Sequence, residues 1–272
     1  MKLSEILGNL GIDPKGSVVY FHIASDKLKP IFNIKHIFET LDTFFDDSST
    51  ICMPSFPFTG SGYFDYLKKN PVFDVRTTPS RVNLITEIFR RRDRVIRSLH
   101  PWCSVACKGY LAKELISEHH LNSKVFGEKS PFSKIMHSNG YVVGLGVDCN
   151  TNSFAHMPDD RMLQYYKFKV YEDYNIILPC IDYQGREIKV ETNVVEKRIS
   201  KLIKPLRMKE LFNKEDFYKE ISINDINFYS MQVSKFIDFT YETNIEIVKQ
   251  RGYPLYYDFN SGIEVTEWIQ KS

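Results

Sequence analysis

Between Ser17 and His22 the chain runs Val-Val-Tyr-Phe with no charged residue, and these β-branched and aromatic side chains read as a buried strand. The run leads to polar Ser25 and Asp26, so the strand delivers a polar loop. Helical patterns lie on either side of it. Lys2 to Leu10 has apolar residues near helical spacing and is stopped by the turn Gly11-Ile-Asp-Pro-Lys-Gly16. A second helix, about Ile34 to Phe45, leads to Thr50-Ile-Cys-Met53, which ends at Pro54. A buried strand set between helices puts the chain on an α/β course from the outset.

Further along, residues 55 to 80 crowd Phe, Pro, Gly, Ser, Thr and Tyr without a period, a long loop of the kind that contacts substrate or cofactor. Its rings, Phe56, Phe58, Tyr63, Phe64 and Tyr66, suit either the core or a lid that stacks on a sugar or an adenine. Ser80 is placed to cap a helix from about Arg81 to Arg92, whose basic end Arg90-Arg-Arg92 reads as solvated or phosphate-binding. A helix over Leu111 to Glu118 follows Gly109. In the strand Tyr141-Val-Val-Gly-Leu-Gly-Val147, two glycines let another backbone approach. Beyond Lys167, Asn175-Ile-Ile-Leu178, a turn at Tyr183-Gln-Gly185 and Glu187-Ile-Lys-Val-Glu191 read as a hairpin, and mixed helix returns around Ser230 to Val248. With no internal repeat, the expectation is one domain over residues 1–272 carrying an added β element.

Composition narrows the function classes. The chain has 272 residues, and 36 Lys and Arg against 34 Asp and Glu leave a charge of +2, too balanced for a nucleic-acid binder that works by phosphate neutralisation. No stretch approaches the roughly 20 apolar residues of a spanning helix, and the opening Met-Lys-Leu-Ser-Glu-Ile-Leu lacks a signal-peptide core. A cytoplasmic protein without membrane contact is the expectation. Five cysteines, odd in number and scattered, read as reduced thiols. His100, Cys103 and Cys107 come nearest to metal-ligand spacing but have no second pair, so no metal is expected.

Three polar clusters carry chemistry. Ile96-Arg-Ser-Leu-His-Pro-Trp-Cys-Ser104 brings hydroxyls, a guanidinium and an imidazole together, and Phe126-Gly-Glu-Lys-Ser-Pro-Phe-Ser-Lys134 offers groups suited to anions before a helix. Thr151-Asn-Ser-Phe-Ala-His-Met-Pro-Asp-Asp160 places His156 three residues before Asp159, close enough for a carboxylate to fix an imidazole tautomer and raise its basicity. His22 suits either packing or a cofactor cleft, while His119 and His120 read as surface residues. Cys103 and Cys107 leave open a rival acyl transfer through a thiolate.

In this order and approximate spacing the clusters resemble the aminoglycoside 3-N-acetyltransferase (antibiotic acetyltransferase) family. The similarity runs from about residue 16 to 160. It begins with Gly16-Ser-Val-Val-Tyr-Phe-His-Ile-Ala-Ser25 and Met53-Pro-Ser-Phe56, followed by Pro79-Ser and Glu87-Ile-Phe-Arg90. Arg97-Ser-x-His-Pro-x-x-Ser104, Phe126-Gly-x-x-Ser-Pro131, Gly144-Leu-Gly146 and Ser153-x-x-His156-x-x-Asp159 complete it.

The resemblance implies a mixed central sheet flanked by helices, with an additional C-terminal hairpin and helical portion. A coenzyme A-binding core would occupy about 1–165 and an acceptor-cleft portion about 166–272. It further implies direct transfer of an acetyl or other acyl group from coenzyme A to the amine of an amino sugar or aminoglycoside. His156 matches the general base and Asp159 its supporting acid, while Ser25, Arg97, Ser98, His100, Ser104 and Ser130 match coenzyme A contacts.

The expected partners are therefore acetyl-coenzyme A and a small-molecule amine. A homodimer is left open. Asp159 stands in place of a longer Glu, Ile23-Ala24 where a serine is usual, and Asn83 where the family tends to have Gly. The alternatives are a non-catalytic binding or regulatory protein on the same fold, or an acyltransferase of a surface-polysaccharide amino sugar with a non-acetyl donor.

Overall fold

Every residue of the strand β1 (Val18–Ile23) is buried, and its alternating side chains serve two different cores. In the computed structural model, which describes residues 1–59, 62–69 and 71–259, Val18 and Tyr20 enter one apolar cluster. Val19, Phe21 and Ile23 enter the other. A strand with both faces covered has no use for a polar residue at alternate positions, which is why Val-Val-Tyr-Phe carries none.

The other strands are β2 (Thr50–Pro54), β3 (Phe73–Asp74), β4 (Ile96–Arg97), β5 (Val105–Gly109), β6 (Tyr141–Leu145), β7 (Tyr171–Ile181), β8 (Glu187–Val195), β9 (Tyr218–Ile223) and β10 (Ile226–Gln232). Seven of them form one mixed sheet in the order β4-β5-β2-β1-β6-β10-β9. Its centre, β2-β1-β6, is parallel, and the strands outside it pair antiparallel. Helices Leu3–Asn9, Ile34–Phe44 and Leu84–Arg90 bury their apolar residues in the cluster below β1. The cluster above takes residues from Pro131–His137, Met157–Met162 and Val233–Arg251. The mixed sheet between helices is the α/β architecture expected.

The hairpin also forms. β7 and β8 pair antiparallel with an irregularity between Tyr171 and Asn175, and β3 adds in parallel to make a second, three-stranded sheet. Both strands are longer than their clearest sequence pattern. β9 and β10 are absent from the sequence reading, and Ser230, expected to begin a helical region, lies in β10, with the helix starting at Val233. The two strands are joined at Asn224 and Asp225, both in the left-handed region (φ 49° and 60°), a turn that suits Asn and Asp. Tyr229 in β10 explains Gly144: a Cβ there would stand 2.1 Å from the Tyr229 ring. The glycine makes room for a side chain rather than a backbone.

Several local expectations change. Asn83, not Ser80, caps Leu84–Arg90: its Oδ1 accepts from the Thr86 N–H at 3.0 Å, and its amide donates to the Ile23 carbonyl at 2.7 Å. Ser80 instead shares a hydroxyl contact with Thr86. Arg90 and Arg91 pair with Glu87, and Arg92 pairs with Asp42. The stretch 55–80 contains helix Tyr63–Leu67 and β3; its residues 60, 61 and 70 lie outside the described residues, as do 260–272 of the expected acceptor portion. Among the described residues no helix is long and apolar enough to cross a membrane.

Candidate active site

The parallel strands β1, β2 and β6 all end at the same edge of the sheet. Because β2 and β6 lie on opposite sides of β1, a crevice opens there, the usual ligand position in α/β sheets. Gly146, at φ +74°, turns the chain out of β6 where a Cβ would press on the Ala24 carbonyl at 3.3 Å. Past this turn Asn152 accepts the Phe154 N–H at 3.0 Å and starts the short turn Ser153–His156, which runs into helix Met157–Met162. His22, at the end of β1, accepts the Ser153 N–H on Nε2 at 3.2 Å. That bond requires a neutral ring, and burial pulls the His22 pKa down to about 4. His22 thus ties the end of β1 to the turn that carries His156.

His156 is half-buried and lies flat against Phe126, with ring centroids 5.6 Å apart and planes 9° from parallel. Its Nδ1 is buried without a hydrogen-bond partner. Burial pulls its pKa to about 4, so the imidazole is neutral at physiological pH and carries a free lone pair. Beside it, Phe126 and Met157 line a cavity of about 960 Å³ whose walls also carry Lys124, Lys129, Asp160 and Arg161.

Asp159 is placed differently from the expectation of a carboxylate bonded to His156. Tyr166 and Tyr256 donate to its Oδ1 at 2.5 and 2.6 Å, and Tyr257 donates to Oδ2 at 2.8 Å. Burial raises its carboxyl to about 7, against the three hydroxyls, which pull it down.

The expected coenzyme A contacts separate into three places. Ser25 is buried at the start of helix Ser25–Leu28, at the crevice edge of β1. Ser130 caps Pro131–His137 by accepting the Ser133 N–H, next to the cavity wall. Arg97, Ser98, His100 and Ser104 form an interior brace instead. The Arg97 guanidinium donates to Ser104 Oγ at 2.9 Å and to the carbonyls of Thr78 and Ser55, over the Phe73 ring. Burial and then the charge of Arg90 bring its pKa down to about 9, still charged near neutrality. Ser98 Oγ accepts the Val105 N–H and contacts His119 Nδ1, and His100 Nδ1 accepts the Cys103 N–H at 3.0 Å. With these partners Arg97, Ser98 and Ser104 are committed to the protein's own groups rather than turned to a phosphate.

His119 corrects the surface reading. It is fully buried and stacks on His100 at 4.3 Å. The thiolate rival fails on burial: Cys103 and Cys107 are buried, and desolvation raises both thiols. Tyr63 is buried and stacked on Trp102 at 5.4 Å, which places that ring in the core. Tyr166, Tyr256 and Tyr257 were not singled out in the sequence, and Phe126 was named there without a link to His156. Phe126 opens a recognised motif, whereas the tyrosines follow no pattern that links them to Asp159.

Comparison with known proteins fits this geometry. The family description "Aminoglycoside 3-N-acetyltransferase" matches residues 27–243. The aminoglycoside N(3')-acetyltransferase-like protein YokD of Bacillus subtilis (strain 168) is 28% identical over 103 residues, 37% of this chain and 38% of that protein. Its crystal structure superposes with a TM-score of 0.67 at 22% identity, covering 88% of this chain and 90% of that one. Aminoglycoside acetyltransferase AAC(3)-IVa superposes with a TM-score of 0.69 at 20% identity, covering 99% of this chain and 95% of its own. For AAC-IIIb the TM-score is 0.70 at 16% identity, covering 93% and 97%. These likenesses establish the fold, and because the family match takes in β2, β6, the His156 turn and most of the long C-terminal helix, the chain belongs to the aminoglycoside 3-N-acetyltransferase family.

Proposed function

We propose that the protein is an acyl-coenzyme A-dependent N-acyltransferase acting on the amine of an amino sugar or aminoglycoside, with His156 as general base. The observation that carries this reading is a neutral His156 whose Nδ1 has no partner, stacked on Phe126 and followed by Met157, both of which line the cavity. An amine attacks a thioester only as its free base, and a positioned imidazole that takes the proton is worth roughly 10²–10⁴ in rate. In the step, the amine nitrogen bonds to the thioester carbonyl carbon, its proton passes to His156, and the C–S bond breaks to release the thiolate, which takes that proton to leave as the thiol and restores the neutral imidazole.

Family membership supports the reaction class. AAC-IIIb has been solved as a binary complex with CoASH and AAC-VIa bound to sisomicin, which supports a coenzyme A donor and an aminoglycoside-like amine. Within this chain, Lys124 and Lys129 on the cavity wall suit the donor's phosphates, and Ser25 and Ser130 stand at the crevice and beside the cavity. A cytoplasmic location follows as part of the same proposal, since the donor is an acyl-coenzyme A.

Thiol release from acetyl-coenzyme A against aminoglycosides and free or nucleotide-linked amino sugars tests the reading. Turnover on one acceptor that falls about 10²–10⁴-fold in His156→Ala is expected. Binding of coenzyme A with no turnover on any acceptor would favour a non-catalytic protein on this fold.

A further inference from the structure

Asp159 is fully buried, and its two oxygens accept from three phenols, one seven residues further along the chain and two near the far end of the described residues. An ionised carboxylate has only acceptors to offer, and three O–H donors suit it. Two of those donors are consecutive, Tyr256 and Tyr257, on a segment that is itself tied down. The Leu255 N–H donates to Asn244 Oδ1 at 2.6 Å, the Lys204 N–H to the Tyr256 carbonyl at 2.7 Å, and the Asp258 N–H to the Leu202 carbonyl at 2.8 Å.

At the other end of this arrangement is His156, the residue directly before helix Met157–Met162, which holds Asp159 in its first turn. The same helix is held at Asp160, which accepts from Tyr171 at 2.7 Å, and at Arg161, which pairs with Asp238 at 2.7 Å. Every polar tie of this helix therefore reaches a different element. Nothing in the arrangement joins the Asp159 carboxylate to the imidazole, whose Nδ1 has no partner.

We propose that Asp159, Tyr166, Tyr256 and Tyr257 form a positioning clasp that sets His156 through helix Met157–Met162, and that Asp159 does not share the imidazole's proton. The proposal rests on the reading of His156 as the general base. The C-terminal segment thereby contributes to a site more than ninety residues away in sequence without touching substrate.

Three variants separate this role from direct support of the base: Asp159→Asn, Asp159→Ala, and the double variant Tyr256→Phe with Tyr257→Phe. An Asn side chain keeps an oxygen for Tyr166 and Tyr256 and turns its amide to the Tyr257 oxygen, so Asp159→Asn is expected to keep kcat within about tenfold of wild type. Asp159→Ala and the double variant should lose about 10²-fold in kcat with KM for acetyl-coenzyme A nearly unchanged, as for a base displaced by about 1 Å. Thermal melting identifies any variant that fails to fold, and the double variant keeps both rings in place if Asp159→Ala does not fold.

The second readout is the imidazole ¹⁵N spectrum near neutral pH, with the His156 signals assigned by their loss in His156→Gln. The clasp predicts an unchanged His156 tautomer in Asp159→Asn and altered signals in the double variant. A collapse of kcat in Asp159→Asn together with a changed tautomer would overturn it in favour of direct support. Wild-type kcat and signals in the double variant would overturn it as well. Should the wild type turn over no acceptor, the general-base reading fails, and the ¹⁵N comparison still decides whether the clasp positions the ring.

Discussion

His22, His100 and His156 are neutral because burial removes the water that would stabilise their charge, which pulls them to about 4, 3 and 4. Each is a base with a folded-state pKa below its ordinary value of 6.5. The unfolded chain therefore binds protons that the native protein refuses as pH falls from about 6.5 towards 4, and their contribution to stability is lost across that window. Asp159, raised to about 7 by burial, acts oppositely: its contribution is present at low pH and is lost as pH rises through about 7. Three histidines outweigh one carboxyl, so Tm should fall between pH 6.5 and 4.5. A flat or rising Tm over that range would contradict the burial of these rings. For catalysis, the pH profile of kcat/KM should show no acidic limb near 6.5 from His156 itself.

Among the elements, β6 is the most exposed to a single change. Gly144→Ala would drive a methyl into the Tyr229 ring, whose hydroxyl is held by the Thr151 carbonyl at 2.6 Å. Overpacking of this kind costs about 1–3 kcal/mol, so denaturant melts should show a loss in that range, and reduced activity should follow because Thr151 opens the loop to His156. The brace at β4 and β5 gives a prediction of a different kind. Arg97 joins β4 to the carbonyls of Ser55 and Thr78, at the two ends of the long loop. Arg97→Ala leaves the Thr78 carbonyl without this donor and the Ser55 carbonyl with Ser104 Oγ alone, and should cost about 1–3 kcal/mol of stability, the range for a buried acceptor left unsatisfied. If Arg97 instead contacted coenzyme A phosphates, the variant would keep its Tm and raise KM for acetyl-coenzyme A.

Among the described residues two large apolar clusters lie on the two faces of one sheet, and a third, small cluster of Phe73, Val75, Leu99, Cys180 and Val190 lies at the smaller sheet. The crevice edge of the large sheet gathers Ser25, Ser55, His22 and the His156 turn because β1 has neighbours on both sides that run in its own direction. The C-terminal segment is tied through Tyr256 and Tyr257 to Asp159, three residues after His156. Removal of the segment after Arg251 should therefore lower kcat and Tm together, measured on purified truncated protein. Unchanged values for both would show that Tyr256 and Tyr257 are dispensable.

Much of the parallel centre was legible in the sequence, since β1, β2 and β6 are short apolar runs bounded by turns, and the chemistry of such strands is local. The β7–β8 hairpin was legible for the same reason, with a short apolar run before and alternation after a glycine turn at φ +81°. The expectation of a base at His156 comes from its place three residues before a carboxylate in a motif that resembles the family's. The partner of that carboxylate was not legible, because Tyr256 and Tyr257 reach Asp159 only after the chain has folded back across about a hundred residues. Likewise, Arg97, Ser98 and Ser104 carry polar groups that suit a phosphate in any sequence, and only tertiary burial spends those groups on neighbouring carbonyls, amides and hydroxyls. Sequence by itself determined which groups could do chemistry and on which elements they ride, whereas the tertiary structure decided which lone pairs and donors remain free, since long-range packing sets burial and hydrogen-bond partners.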